Sequence, residues 1–395
     1  MALRVAYITH YSELFGANRS MLGLILELKR TGVVEPFVIL AQDGPLAEEL
    51  KAHGIPTKVI PFVSWMRKHV YMGGPHHRIM QRWRQWKTSR ANDRHNAQLL
   101  PELEAICRSW EAEIVHINSS VIGIGGPLSR TLKVPLVWHI REIPFKHYEF
   151  KVDGGTGRYR SELRKAEAII PVSDAVRDDL RSIIGPTDNV HVVRNGPVSE
   201  ALLQTFRENA NKRWEGVKEF RFLQLALFHP SKGQMEAVEA FARVHRKNPA
   251  TRLVLAGIGR QDAVKQRVKE LGLEAAVDMP GFVEDPYTEL DLAHCVLQCS
   301  KYEALSRAIL EAMASGIPVI GHASGSTPEL IKPGISGELY TTVDQLAQHM
   351  EERSSDIAGC KAMGQVAQQM VDEQYTIEAM AQGVSTVYGS LPPKR

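Results

Sequence analysis

Short apolar runs recur along this chain, each followed by a stretch in which apolar residues return every three or four positions. RVAYIT precedes NRSMLGLILELKR, PFVIL precedes LAEELKAHG, and TKVIPF follows. After an interruption come EIVHIN, VPLVWHI, AIIPV and NVHVVR, again alternating with helical segments. A second series opens at FRFLQLALF and continues through TRLVLAGI, VDMPGF, CVLQC and IPVIG. Apolar runs of strand length separated by helices predict parallel sheets covered on both faces. The pattern therefore predicts two doubly wound α/β domains facing a central cleft, with ligands bound beyond the carboxyl ends of the strands. Residues 1–197 form the first predicted domain and 217–378 the second; the polar segment 198–216 is a helix-poor linker. Residues 379–395 are predicted as a C-terminal helix and tail returning to the first domain.

Length and composition agree with that division. A chain of 395 residues is too long for one ordinary core, and 44% apolar with 24% charged content describes a globular protein. No run approaches the ~18–20 apolar residues of a membrane span, and the start MALRVAYITHYSE lacks a signal-peptide pattern. The net charge of +3 gives no case for a nucleic-acid partner. The four cysteines show no CxxC spacing, and Cys295 and Cys299 sit in an apolar run, so reduced thiols and a cytoplasmic location are expected.

Chemistry-bearing residues cluster just after the strands of the second series. Lys232 lies on the turn ALFHPSKGQ with Gly233 beside it, placed for a phosphate. Gly257 and Gly259 follow the next strand, where bare backbone approaches a ligand closely. Phe282 and Val283 follow another, suited to the plane and edge of a base. In SKYEALSRAILEAMASGIPVIG, Glu303 and Glu311 are separated by seven residues. A helix over 305–314, opened by Leu305, Ser306 and Arg307, offers unpaired N–H groups to an anion. Eight helical residues span roughly 12 Å, so the two carboxylates are expected to flank a diphosphate, one toward a sugar and one toward a ribose.

These motifs resemble the E-x7-E signature of the retaining glycosyltransferases of family 4, which have the GT-B fold of two Rossmann-like domains. GANRS, VWHI, PVSDAVRDDL, RNGPV, KGQ, AGIG, PGFV, EALSRAILEAMASGIPVI and GSTPELI follow the family's order nearly end to end. The resemblance implies a nucleotide-diphospho-sugar donor, with Glu303 on the transferred sugar, Glu311 on the ribose and Lys232 on the diphosphate. It implies further that Gly16 lets the first-domain loop approach the donor phosphates, that His139 lies under the reacting sugar, and that Glu329 is a donor-side residue. The family's usual arginine, five residues before the lysine, is replaced by Leu227, with Arg307 or Arg141 as candidates to compensate. The glycine often seen three residues after the first glutamate is Ser306.

No Asp-x-Asp occurs, so neither a metal nor another cofactor is expected. The resemblance implies a front-face mechanism in which the leaving phosphate takes the acceptor's proton. The expected activity is transfer of a hexose from a UDP-sugar or GDP-mannose to a glycan or lipid-linked glycan, in envelope or capsular polysaccharide synthesis. Two other readings stay open: a nucleotide-sugar epimerase or hydrolase of the same fold, and a non-catalytic nucleotide-sugar-binding subunit.

The interruption at 62–98 is rich in Lys and Arg, including Arg82, Arg84, Lys87 and Arg90, with Trp65, Trp83 and Trp86 interleaved and Asp93 the single acid. That mixture suits an anionic acceptor or an anionic membrane surface on the inner face of the plasma membrane, and equally a solvated insertion.

Overall fold

The computed structural model describes residues 2–68 and 75–393, with the side chains of Pro75, Arg78 and Asn209 left out of account. Residues 69–74 of the insertion and 394–395 of the tail lie outside the described residues. The chain divides into two compact units, Met1–Asn195 with Ile377–Arg395, and Gly196–Thr376.

In the first unit, β1 (Leu3–Thr9), β2 (Val34–Leu40), β3 (Thr57–Val59), β5 (Ile114–Ile117), β6 (Leu136–Ile140) and β8 (Ala168–Pro171) form one sheet in the order β3-β2-β1-β5-β6-β8. Every neighbouring pair is parallel. A separate antiparallel ribbon joins β4 (Met66–Lys68) to β7 (Phe150–Val152). Helix Gly16–Arg30 buries Met21, Leu24, Ile25 and Leu28, the single stripe that a 3.6-residue period places on the sheet. The last helix, Ile377–Gly389, adds Met380, Ala381, Val384, Val387 and Tyr388 to the same core.

The second unit repeats the plan with β9 (Phe220–Leu225), β10 (Thr251–Ala256), β11 (Val277–Gly281), β12 (Cys295–Gln298), β13 (Val319–His322) and β14 (Gly337–Tyr340), ordered β11-β10-β9-β12-β13-β14 and parallel throughout. Both sheets thus reverse direction of growth next to their first strand, between β1 and β5 and between β9 and β12.

Three local expectations change. NVHVVR is not a strand of the ladder: His191 N–H donates to the Ile169 carbonyl (2.9 Å) and Val193 N–H to that of Pro171 (3.1 Å). Pro171 has no N–H to return, and pairing stops there. The segment 198–216 is not helix-poor. Ser199 caps a helix at Glu200–Asn209, accepting from Leu202 N–H at 3.2 Å, and Leu203 and Phe206 pack into the core of the second unit.

The third change concerns the insertion. Trp65 is not part of its exposed surface: it is buried, stacks on Trp138 with ring centroids 5.6 Å apart, and donates its indole N–H to the Ser120 carbonyl at 2.8 Å. Residues from 75 onward continue as one helix, Pro75–Ser109. Asn96 ties that helix to both backbone groups of Val63 at 2.9 Å, and Asn92 donates to Asp153 at 3.2 Å. Asp93, the insertion's acid, is bonded by Arg158.

Replacing Trp65 by Ala removes the stack and leaves a cavity, so it should cost about 3–5 kcal/mol of stability. Urea unfolding followed by circular dichroism checks this, and a loss below about 1 kcal/mol would contradict a core role for Trp65.

Candidate functional site

The chemistry expected of the second unit collects where its strand order reverses. After β9 the chain makes a short 3-10 turn, Pro230–Lys232, and Gly233 follows in the left-handed region at φ +70°. A Cβ at Gly233 would stand 2.6 Å from the Cys299 carbonyl oxygen, so only glycine lets this turn lie against the exit of β12. Gln224 holds the turn from below, its Nε2 donating to the Lys232 carbonyl at 2.6 Å. The Lys232 ammonium then reaches Glu303 Oε1 at 2.5 Å, and both side chains are largely buried. An ion pair spans the β9–β12 switch point, where open α/β sheets bind ligands.

Glu303 is fixed through its own backbone. Ser326 N–H donates to its carbonyl at 2.9 Å. Gly325, at φ +59°, approaches so closely that a Cβ would lie 2.4 Å from the same oxygen. Tyr302, itself at φ +60°, donates its N–H to Ser324 Oγ at 3.1 Å.

The next helix begins at Arg307, two residues later than the sequence pattern indicates. Ser306 is its cap, with Oγ accepting from Ile309 N–H at 3.4 Å; a hydroxyl here replaces the expected glycine with a capping group. Leu305 packs against the core. Because residues 303–306 are not helical, Glu311 stands only ~6 Å above the helix start, instead of 12 Å beyond Glu303 along one axis. Glu311 is buried and accepts from Arg307 Nη2 at 2.8 Å. Arg307 is therefore committed to Glu311 and does not fill the place of the missing arginine, where Leu227 is 52% exposed.

Gly257 and Gly259 have a structural reason of their own. Their φ values are +151° and +126°, and Cβ atoms would lie 2.0 Å from the Ala226 carbonyl oxygen and 2.4 Å from that of Phe228. It is the neighbouring chain segment leaving β9 that requires both glycines. Phe282 is 66% exposed on the loop after β11, whereas Val283 leans on the core. Glu329 sits in the short helix Thr327–Leu330, its N–H donating to the Ser326 carbonyl at 3.0 Å.

Four residues at this rim escaped the sequence reading. Among the described residues, Ser300 Oγ, Ser326 Oγ, Thr327 Oγ1 and Gln224 Oε1 are buried without a hydrogen-bond partner. Buried polar atoms are seldom left unmatched, and hydroxyl and phosphoryl oxygens are groups that would match them. The signal was present in GSTPELI, whose Ser-Thr precedes the glutamate that drew attention.

In the first unit, β1 leads through a loop to helix Gly16–Arg30, which no side chain caps at its N-terminus. Gly16 is exposed at that end, and Asn18 ties the preceding loop to the helix by donating to the Tyr11 and Glu13 carbonyls at 2.9 Å. His139, on β6, is fully buried. Its Nδ1 lies 3.3 Å from His116 Nε2 and 3.4 Å from Arg141 Nη2. Its Nε2 has no partner among the described residues. Arg141 is held in turn by Asn118 at 2.5 Å and Asn195 at 2.6 Å, and so belongs to this cluster. Burial, with Arg141 adding to it, lowers the pKa of His139 well below the usual histidine range and that of His116 to about 3. Both rings are neutral at pH 7.

On helix Pro75–Ser109, Trp83 and Trp86 are 55% and 51% exposed, and Ile79 and Met80 are exposed beside them. Lys87 sits 3.6 Å from the Trp83 ring centroid and Arg90 4.2 Å from that of Trp86. At ~100° per residue, Ile79, Trp83, Trp86 and Arg90 share one stripe, Arg82 and Lys87 flank it, and Arg84 lies on the other side of the helix. Among the described residues no helix is long and apolar enough to cross a membrane, and no cluster of three His, Cys, Asp or Glu side chains is placed to hold a metal.

Two family models cover most of the chain. Residues 15–196 match the glycosyl transferase 4-like domain and residues 206–370 match glycosyl transferases group 1. The chain is 26% identical over 312 residues to EpsD of Bacillus subtilis (strain 168), a protein named as a glycosyltransferase, with 73% of this chain and 80% of that protein covered. It is 25% identical over 265 residues to alpha-monoglucosyldiacylglycerol synthase of Streptococcus pneumoniae (strain ATCC BAA-255 / R6), covering 61% of this chain and 59% of that protein. Among solved structures, Anabaena Alr3699/HepE in complex with UDP superposes with a TM-score of 0.77 at 20% identity, over 98% of this chain and 100% of that one. Its UDP-glucose complex gives 0.74. The fold is GT-B, two parallel-sheet Rossmann-like domains.

An unfolded histidine takes up its proton near pH 6.5. The stability contributed by the two neutral rings is therefore complete above that pH and is lost as pH falls toward the folded pKa, about 3 for His116. Imidazole resonances of His116 and His139 should stay fixed from pH 8 to 5; a midpoint above about 5.5 for either ring would show that the cluster tolerates the cation.

Proposed function

Because the chain belongs to the group 1 glycosyltransferases, with a glycosyl transferase 4-like first domain, we propose that it transfers a hexose, with retention, from a UDP-sugar or GDP-mannose to a glycan or lipid-linked glycan. One observation carries this reading: the Lys232–Glu303 pair spans the switch point of the second sheet beside the Ser306-capped helix and a set of unmatched buried hydroxyls. A diphosphate meets an ammonium there, and the sugar it carries meets a carboxylate that accepts from hydroxyls. HepE, of the same fold, binds UDP and UDP-glucose, which favours a nucleotide-sugar donor for this chain.

When the donor enters, Lys232 turns from Glu303 to the diphosphate oxygens. Breaking the bond between sugar C1 and the phosphate oxygen leaves positive charge on the sugar and a full anion on the phosphate. Lys232 stabilises the anion, and Glu303 lies on the sugar side, where a carboxylate offsets the cation. Glu311 holds the ribose hydroxyls once Arg307 yields. The acceptor oxygen attacks C1 from the face the phosphate leaves, and its proton passes to that phosphate, so configuration is retained without a protein nucleophile. No Asp-x-Asp is present to carry a divalent ion, and the proposed step uses none. His139 offers its Nε2–H to a hydroxyl of the sugar. Gly16, Gly257, Gly259, Phe282, Val283 and Glu329 shape the remaining donor contacts.

The acceptor is presented at an anionic membrane by the stripe of Ile79, Trp83, Trp86 and Arg90 with flanking Arg82 and Lys87, which joins apolar depth to positive charge. The streptococcal relative is named for a lipid product, which favours a lipid-borne acceptor. A role at the cytoplasmic face of the membrane, in envelope or capsular polysaccharide assembly, is part of this proposal.

A thermal-shift screen against UDP-sugars and GDP-mannose should find a stabilising donor. Lys232→Ala should abolish that shift, while Glu303→Gln should keep nucleotide binding and lower the transfer rate by about 100-fold or more. Free sugar released without acceptor at the same rate as transfer would make the chain a hydrolase. Binding with no turnover in any assay would make it a carrier subunit.

For the membrane, phosphatidylglycerol vesicles should blue-shift the Trp83 and Trp86 fluorescence and pull the chain down on sedimentation. At ~1 kcal/mol per cation, neutralising Arg82, Lys87 and Arg90 together should weaken binding by roughly 100-fold. Equal binding to pure phosphatidylcholine vesicles would rule out the charge term.

A further inference from the structure

We propose that Tyr388 and His116 are positioning residues which lock His139 in the tautomer bearing its proton on Nε2, so that this N–H stands ready to donate to an oxygen of the bound ligand. The inference rests on the proposed function only for the identity of that oxygen, a sugar hydroxyl.

The tautomer follows from counting donors. A guanidinium donates and never accepts, so the 3.4 Å contact from Arg141 Nη2 makes His139 Nδ1 an acceptor. A neutral imidazole with a bare Nδ1 carries its proton on Nε2. His116 Nε2, 3.3 Å from the same lone pair, must also be a donor. That leaves His116 Nδ1 bare, and the Tyr388 hydroxyl 2.7 Å away donates into it. The Tyr388 hydroxyl also lies 3.0 Å from that of Tyr7. A one-way chain results, Tyr388 to His116 to His139, with Arg141 closing the far end. All four side chains are buried, so no water competes to reverse a link.

The chain ends on a buried donor with nothing to bond. His139 Nε2 is unpartnered, and its ring is fully inaccessible. Every other link in the cluster is satisfied, so the orphan atom is the output of the arrangement. A neutral donor also suits the proposed reaction. It fixes a sugar hydroxyl without adding a cation next to a sugar on which positive charge develops. Arg141, Asn118 and Asn195 keep the guanidinium from turning away, which preserves the acceptor role of Nδ1.

Tyr388 comes from the last helix, 272 residues from His116 in sequence. The tautomer of a residue in β6 is thus set by a hydroxyl near the end of the chain.

The test uses the full-length chain with nitrogen-15 histidine and long-range proton–nitrogen correlation spectra, with His139 assigned by loss of its signals in His139→Ala. Wild type should show one His139 tautomer, Nε2 protonated and Nδ1 bare. Tyr388→Phe keeps the ring and removes only the hydroxyl. It should convert His116 to a mixture of tautomers and His139 with it. It should also lower kcat for sugar transfer about 10-fold or more, while KM for the donor changes less than about twofold. In a His116→Gln background the amide N–H still donates to His139, and there Tyr388→Phe should change neither the spectrum nor kcat further.

An Nδ1-protonated or cationic His139 in wild type overturns the proposal. So does a Tyr388→Phe variant with an unaltered His139 pattern, or one with the same loss of kcat in the His116→Gln background. The spectra decide the tautomer without any enzyme assay. A chain that transfers no sugar from any donor would sink the proposed function and leave this inference to be judged on the spectra alone.

Discussion

Parallel pairing is the constraint from which the rest of this molecule follows. A strand that lies parallel to its neighbour must send the chain back across the sheet before the next begins, and the return is a helix on one face. Every loop that follows a strand therefore emerges at the same edge, and residues far apart in sequence are delivered there together. Lys232 and Glu303 are 71 residues apart, yet they meet because β9 and β12 are neighbours and both exits point the same way. The order of the sheet turns around between those two strands. The loops on either side diverge there and leave room that no helix fills.

That geometry puts unusual demands on the backbone, and glycines meet them. Gly233, Gly257, Gly259 and Gly325 each stand where a Cβ would strike a carbonyl oxygen of a neighbouring loop. The loops are packed against one another before any ligand arrives. The Lys232 ammonium and the Glu303 carboxylate neutralise each other in the meantime. A largely buried charge left alone would be costly, and the pairing holds both side chains in place. The Arg307–Glu311 pair does the same one turn further on.

How far the sequence showed this depends on the distance over which each feature is determined. Strands such as Leu3–Thr9 and Thr251–Ala256 are buried on both faces and read as plain apolar runs. Lys232, Glu303 and Glu311 are legible because loop, cap and helix lie within short stretches. Features set by a partner far along the chain were not. NVHVVR has the composition of a strand, but its pairing is cut short by a proline in β8. Trp65 sits among basic residues, yet it is drawn into the core by Trp138 and by the space that Gly123 leaves. The helix at 200–209 looks too polar to fold alone, and it forms because Leu203 and Phe206 find a core to cover. Helix 307–314 starts late since Ser306 is a better cap than any residue before it. His116 is one polar residue within the apolar run EIVHIN, and what it bonds to cannot be seen there.

The return of the last helix ties stability and chemistry to one element. Residues 196–376 form a continuous unit, whereas the first unit is interrupted and completed only by 377–395. Met380, Val384 and Val387 cover apolar surface of Met21, Leu24 and the first strands. In the same helix the Tyr388 hydroxyl lies 2.7 Å from His116 Nδ1. Without the helix, Tyr7 and His116 would each bury a polar group with no partner, beside an uncovered apolar face. Burial and hydrogen bonding thus act together at one place: the helix that closes the core also dries the histidine pair. A dry pair has no water through which to exchange tautomers, so the direction of each hydrogen bond is set by the next donor in line.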